Sequence, residues 1–177
     1  MNDGNENEFS HLLRLDQIHG QSLALTADTE ERAALAVRFG LQAIDMLGAQ
    51  LSIARRDHRI ELIGEMQARA VQSCTATGAP VMAEIAEPLR IDFIPQPDHA
   101  PDAEIELDDS ACDVMFYDGA NIDIGEAVAQ SFALALDPYP RSSDAADTLK
   151  HAGVKNEEEA GPFGALADLK AKLEKDV

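Results

Sequence analysis

The 177 residues carry 33 Asp and Glu against 14 Lys and Arg, a formal net charge of −19, and are 45% hydrophobic with no Trp. This is the composition of one globular domain with tails and a mainly aliphatic core. It argues against gripping a phosphate backbone or an anionic membrane, since both are bound through Lys and Arg.

The start, MNDGNENEF, has no basic region and no apolar run. No signal peptide is expected from it, and no stretch approaches the roughly 18 apolar residues of a membrane span. With only Cys74 and Cys112, no disulfide framework or metal knuckle can be read, so a cytoplasmic protein with reduced thiols is expected.

Residues 1–8 read as a disordered N-terminus. Phe9–Leu15 alternates loosely and favours a strand, and Leu23 and Leu25 continue as a second. Asp28 stands three residues before Glu31, the spacing of a capping box, and predicts a helix from Thr29 to Phe39 closed by Gly40. From Leu41 the period changes to two. Leu51 and Ile53 lead to a polar turn at Arg56–His58. The clearest strand of the chain follows, with Ile60, Leu62, Met66, Ala68, Ala70 and Cys74 on one face. A run so long should bend, and Gly64 is the natural place for a bulge.

Thr77–Pro80 predicts a turn, Val81–Ile85 a strand, and Leu89–Phe93 another beyond Glu87-Pro88. Residues 96–120 form an Asp-rich excursion in which Ile105 and Leu107 could add an edge strand. Ile124, Val128, Phe132 and Leu136 recur every four residues. Asp123 and Glu126 make a D-x-x-E cap at their start and Asp137-Pro138 a stop at their end, so a helix packed on the sheet is expected. Residues 142–160 read as a flexible linker, and Phe163, Leu166, Leu169 and Leu173 as a short C-terminal helix. The fold class that results is α+β, an antiparallel, curved β-sheet meander with two packed helices, in a single domain over 9–141.

The charge is uneven. Between Arg90 and Arg141 fifty residues contain no Lys or Arg, yet carry twelve acids, from Asp92 to Asp137. Two readings stay open, solubility and a contact surface for a basic protein. The candidate surface comprises Asp102, Glu104, Glu106, Asp108, Asp109 and Asp113, with Phe163, Leu166 and Leu169 of the terminal helix as apolar anchors. That terminal stripe could equally fold back on its own domain.

Catalytic signatures are weak. The five histidines share no metal-ligand spacing, no serine sits in a nucleophile elbow, and no glycine-rich loop suits a nucleotide. Asp118, Asn121, Asp123 and Glu126 are close enough in sequence for a hard cation. However, capping and turn roles already account for Asp118, Asp123 and Glu126. Cys74 has no Lys, His or Arg beside it to lower its pKa, so it reads as a buried structural cysteine. No catalytic, metal or cofactor residue is therefore assigned.

Three segments resemble the YceD family of large ribosomal RNA subunit accumulation proteins. They are VQSCTATGAPV with Cys74 and Pro80, IDIGEAVAQSFALALDPYPR over Ile122–Arg141, and GPFGALADLKAKL over Gly161–Leu173. The opening EFSHLLRLDQI is similar to the family's start as well. The resemblance implies a non-enzymatic, cytoplasmic factor needed for large-subunit ribosomal RNA to accumulate, and hence for ribosome assembly. Many members carry C-x-x-C where this chain has Cys74-Thr75-Ala76-Thr77, so no role of a cysteine pair transfers.

The expected partner is a basic ribosomal protein or an RNA-processing factor, with direct nucleic-acid binding disfavoured. Two alternatives are a direct RNA binder using Arg55, Arg56 and Arg59, and a metal-dependent hydrolase using Asp118, Asp123 and Glu126.

Overall fold

The first helix shows how local sequence sets the frame. Asp28 accepts hydrogen bonds from the Glu30 and Glu31 amides, and the Glu31 carboxylate accepts from the Asp28 amide at 2.7 Å. This reciprocal cap starts α1 (Thr29–Arg38) where the sequence places it, and Gly40, at φ 65°, turns the chain out of it. The computed structural model describes residues 8–57, 59–96 and 113–154.

Those residues form two compact units. The first, up to Gln72 and then Met82–Pro138, holds the strands β1 (Leu12–Arg14), β2 (Gln21–Thr26), β3 (Ala43–Arg56), β4 (Arg59–Ser73) but for its last residue, β5 (Pro80–Pro95) but for its first two, β6 (Asp113–Tyr117) and β7 (Asn121–Asp123). Strands β2 to β6 make one sheet in sequence order, and β1 pairs with β7 in a separate two-stranded ladder. The β2–β3 and β3–β4 ladders are antiparallel, but β6 runs parallel to β5. The fold is α+β, as the periodicity predicts.

Alternation decides which face is buried. Ile60, Leu62, Met66, Ala68 and Ala70 of β4 are buried, opposite Leu47, Ala49, Leu51 and Ile53 of β3. The bend lies elsewhere than expected. The register shifts between Ile44 and Met46, while Gly64 pairs regularly with Leu51. The shift lets Ile44, on an even position, and Leu47, on an odd one, both face the core. Gly64 has a different reason: a methyl group there would overlap the Gln50 carbonyl of the neighbouring strand.

Helix α2 (Ile124–Ala135) buries Ile124, Ala127, Val128, Ala129 and Phe132. Phe132 meets Phe39 edge to face at 5.9 Å, joining the two helical segments over a core that includes Leu35, Leu47, Ile91 and Phe93.

Three further expectations change in this unit. The strand predicted over Phe9–Leu15 shrinks to β1, because Leu15–Gln17 closes into a 3-10 turn. The two strands predicted on either side of Pro88 are one, β5. Pairing with β6 begins only at Ile91, so the proline, which has no N–H, can lie where β5 has no partner on that side among the described residues. Asp113–Tyr117, assigned to the polar excursion, is strand β6, and its parallel direction departs from a pure meander. Its alternation is hidden because Val114 and Met115 are both half-buried.

The second unit comprises Ser73–Val81 and the described residues from Tyr139 onward. Here the predicted linker contains helix α3 (Ala145–His151), which buries Ala145. Small, polar composition concealed it. The Ile105–Leu107 strand and the terminal helix lie outside the described residues.

Candidate functional site

Among the described residues strand β6 is the last of the sheet, and a cleft of about 410 Å³ lies beside it. Met115, Phe116 and Tyr117 form one wall. Ser10 and Leu12, with Asn121, Ile122 and Asp123 of β7, form the other. Met115 and Phe116 are adjacent in a strand and so point to opposite faces of the sheet. Both line the cleft, which therefore passes the edge of β6, and Phe93 of β5, the partner of Met115 across the ladder, lines it on the face the two strands share. Asp118 and Glu126 line it as well, and no Lys, Arg or His does.

The acids differ in what they have left to offer. Asp123 caps α2 by accepting from the Gly125 and Glu126 amides at 3.1 Å, and it also accepts from the Ser10 hydroxyl and the His11 amide at 2.8 Å. The carboxylate of Glu126 does not reach back as a capping box would. It takes both guanidinium nitrogens of Arg38, at 2.6 and 2.8 Å, and the Gln130 amide. The Arg38 hydrogen bonds hold it below the usual carboxylate range, and Arg38 is raised in turn. Asp118 is exposed, and Asp113 at the other end of β6 is exposed too.

The sequence brings Asp118, Asp123 and Glu126 to one cleft, as the hydrolase alternative requires. Two of the three are already saturated by the cap and the ion pair. Among the described residues no group of three His, Cys, Asp or Glu is arranged to hold a metal ion.

Two of the three arginines at the β3–β4 turn are likewise committed. Arg56 pairs with Glu61 at 3.5 Å and Arg59 with Asp92 at 3.0 Å, while Arg90 reaches Glu61 at 3.3 Å. Asp92 is buried, and its other oxygen has no hydrogen-bond partner. The carboxylates of Glu61 and Asp92 offset part of the positive charge that a phosphate would meet at Arg56 and Arg59.

Cys74 sits in the second unit, 3% exposed, at the start of a turn. Its Sγ accepts from the Ser142 amide at 3.3 Å and the Ser142 hydroxyl at 3.4 Å. These bonds, with one from Thr77, pull the thiol down to about 6. The absence of a neighbouring cation concealed this, because the donors come from 68 residues away. Thr77 donates to or accepts from the Ser142 hydroxyl at 3.3 Å, and its oxygen accepts from the Ala79 amide.

Of the predicted contact residues, Asp113 opens β6. Asp102, Glu104, Glu106, Asp108, Asp109, Phe163, Leu166 and Leu169 lie outside the described residues. The cleft itself was not legible. Ser10 and Leu12 reach it from more than a hundred residues before β6, and nothing in their local sequence marks them.

A family model described as large ribosomal RNA subunit accumulation protein YceD matches residues 62–170. The chain belongs to the YceD family. The match takes in β4, β5, β6 and α2, hence Cys74 and most of the cleft, but not Ser10 or Leu12. No curated protein and no solved structure matches the chain. The YceD family description assigns a role in accumulation of large-subunit ribosomal RNA. Among the described residues, no helix is long and apolar enough to cross a membrane.

Proposed function

We propose that this YceD-family protein supports large-subunit ribosomal RNA accumulation in the cytoplasm as a non-enzymatic factor, through contact between its acidic surface and a basic protein. The partner would be a ribosomal protein or an RNA-processing factor. The observation that carries this reading is the charge distribution. Fifty consecutive residues lack any Lys or Arg, and Arg56 and Arg59 of the β3–β4 turn pair with Glu61 and Asp92. A protein so charged is repelled by RNA and steered toward basic proteins.

Affinity purification from cells at low salt tests it. The expected result is recovery of a basic large-subunit component that elutes as salt rises through the range where the Debye length falls to about 10 Å and below. Recovery of no ribosomal protein and no RNA-processing factor refutes the mechanism. Direct RNA binding is checked separately by filter binding. If neutralising Arg55, Arg56 and Arg59 weakens RNA binding and flattens its salt slope, RNA is the ligand and this reading is wrong.

A further inference from the structure

The sheet ends on an edge with space beside it. Strand β6 has no neighbouring strand on its outer side among the described residues. Tyr117 gives its carbonyl to the Gln96 amide on the β5 side at 2.9 Å. In a parallel ladder successive residues turn their N–H and C=O alternately to the two sides, so Val114 and Phe116 present theirs to the outer edge. That edge borders the cleft, which Met115 and Phe116 both line.

We propose that the outer edge of β6, with the cleft along it, takes up an extended basic segment of a protein partner as a sixth strand. This inference rests on the protein-contact function proposed above and names its site. Main-chain pairing to Val114 and Phe116 supplies the affinity, and pockets for alternate side chains supply the selectivity. The apolar positions of the segment meet Leu12 and the half-exposed Phe116, which is 51% exposed. Its cations meet Asp118 inside the cleft and Asp113 at the far end of the strand.

The same acids choose among occupants. Proteins commonly guard an edge strand with charge against pairing with its own kind. Asp113 and Asp118 bracket β6, so a second copy would bring like charges together in a chain already at −19. A basic strand meets complementary charge at both ends.

The test uses the full chain and an acetylated, amidated peptide of alternating lysine and valine, about nine residues long, enough to overlap all of β6. Binding is followed by fluorescence anisotropy and by amide NMR at low salt. The expected result is shift and exchange protection of the Val114 and Phe116 amides. Methylating the peptide nitrogens along one edge should weaken binding about tenfold or more, the effect of lost main-chain hydrogen bonds. Phe116→Pro should do the same while keeping the ladder to β5, because the N–H it removes faces outward. Phe116→Ala, which keeps the amide, should bind more tightly than Phe116→Pro.

Equal affinity for the methylated peptide overturns the proposal, leaving only attraction by net charge, and it does so whether or not Phe116→Pro folds. Two other results overturn it by naming a different occupant. One is a dimer in sedimentation that Phe116→Pro abolishes. The other is a carbodiimide crosslink between Asp118 and Lys170 or Lys172 of the same chain that persists when peptide is added. A cellular partner captured at low salt whose binding is untouched by Phe116→Pro refutes this site and leaves the proposed function standing. Peptide pairing on β6 without any basic cellular partner supports this site and refutes that function.

Discussion

Gly125, in the first turn of α2 between the cleft residues Asp123 and Glu126, lies against the backbone of Phe9–His11, and replacing it tests how that segment is held. A methyl group at this position would overlap the Phe9 carbonyl oxygen and lie 2.9 Å from the His11 nitrogen. Both are backbone atoms, so no rotamer change relieves the clash and the segment Phe9–His11 must move away from α2. Three hydrogen bonds hold it there: Ser10 hydroxyl to Asp123 at 2.8 Å, His11 amide to Asp123 at 2.8 Å, and Ile124 amide to His11 carbonyl at 3.1 Å.

At about 1 kcal/mol net for each bond, their loss costs about 3 kcal/mol. Alanine returns up to about 1 kcal/mol through its better helix propensity. Gly125→Ala should therefore destabilise by about 2 kcal/mol. Urea unfolding followed by circular dichroism measures this as a lower midpoint at unchanged slope. Amide exchange at His11 and Ile124 should quicken beyond the global change. A variant as stable as the parent, or more stable, with His11 still protected, would refute the argument that backbone approach requires glycine here.

Phe132→Ala should cost about 3–5 kcal/mol as a buried aromatic deletion, and a double-mutant cycle with Phe39→Leu in the same urea assay should return about 0.5–1.5 kcal/mol for the edge-to-face pair. Glu126→Gln should lower stability by about 1 kcal/mol at neutral pH. Arg38 lowers the folded pKa of Glu126, so its stabilisation is complete above the unfolded glutamate value and fades as pH falls through the folded one; thermal melts of parent and variant should converge in acid.

For Cys74 the folded thiol, near 6, lies below its ordinary value of 9.0, so the unfolded chain binds the extra proton between those limits. Its contribution should grow as pH rises from about 6 to 9 and vanish as pH falls through 6. The stability difference from Cys74→Ala, read by urea melts across that window, checks the sign, and Ser142→Ala should flatten it.

Local chemistry was legible where the interaction is local. The Asp28–Glu31 box, the exit at Gly40, the even-position face of β4 and the four-residue stripe of α2 each rest on neighbours within a few residues. The DIGE motif was only half readable. Its aspartate caps as spaced, but its glutamate is drawn to Arg38, 88 residues earlier, because a bidentate guanidinium offers more than one orphan amide. β6 escaped notice because a short edge strand buries little and shows little alternation. Pro88 misled because a proline breaks a ladder only where a partner strand needs its N–H.

By itself, the sequence determined the α+β class, the acidic field and the aliphatic core, which follow from composition and short-range periodicity, and the family, which follows from the resemblance of three segments. Tertiary structure decided which charges remain free. It spent Arg56, Arg59, Asp123 and Glu126 on internal partners, gave Cys74 its donors from Ser142, and left Asp113 and Asp118 at the ends of an edge strand beside a cleft. Charge is written in the chain, but its availability depends on what each side chain meets in space.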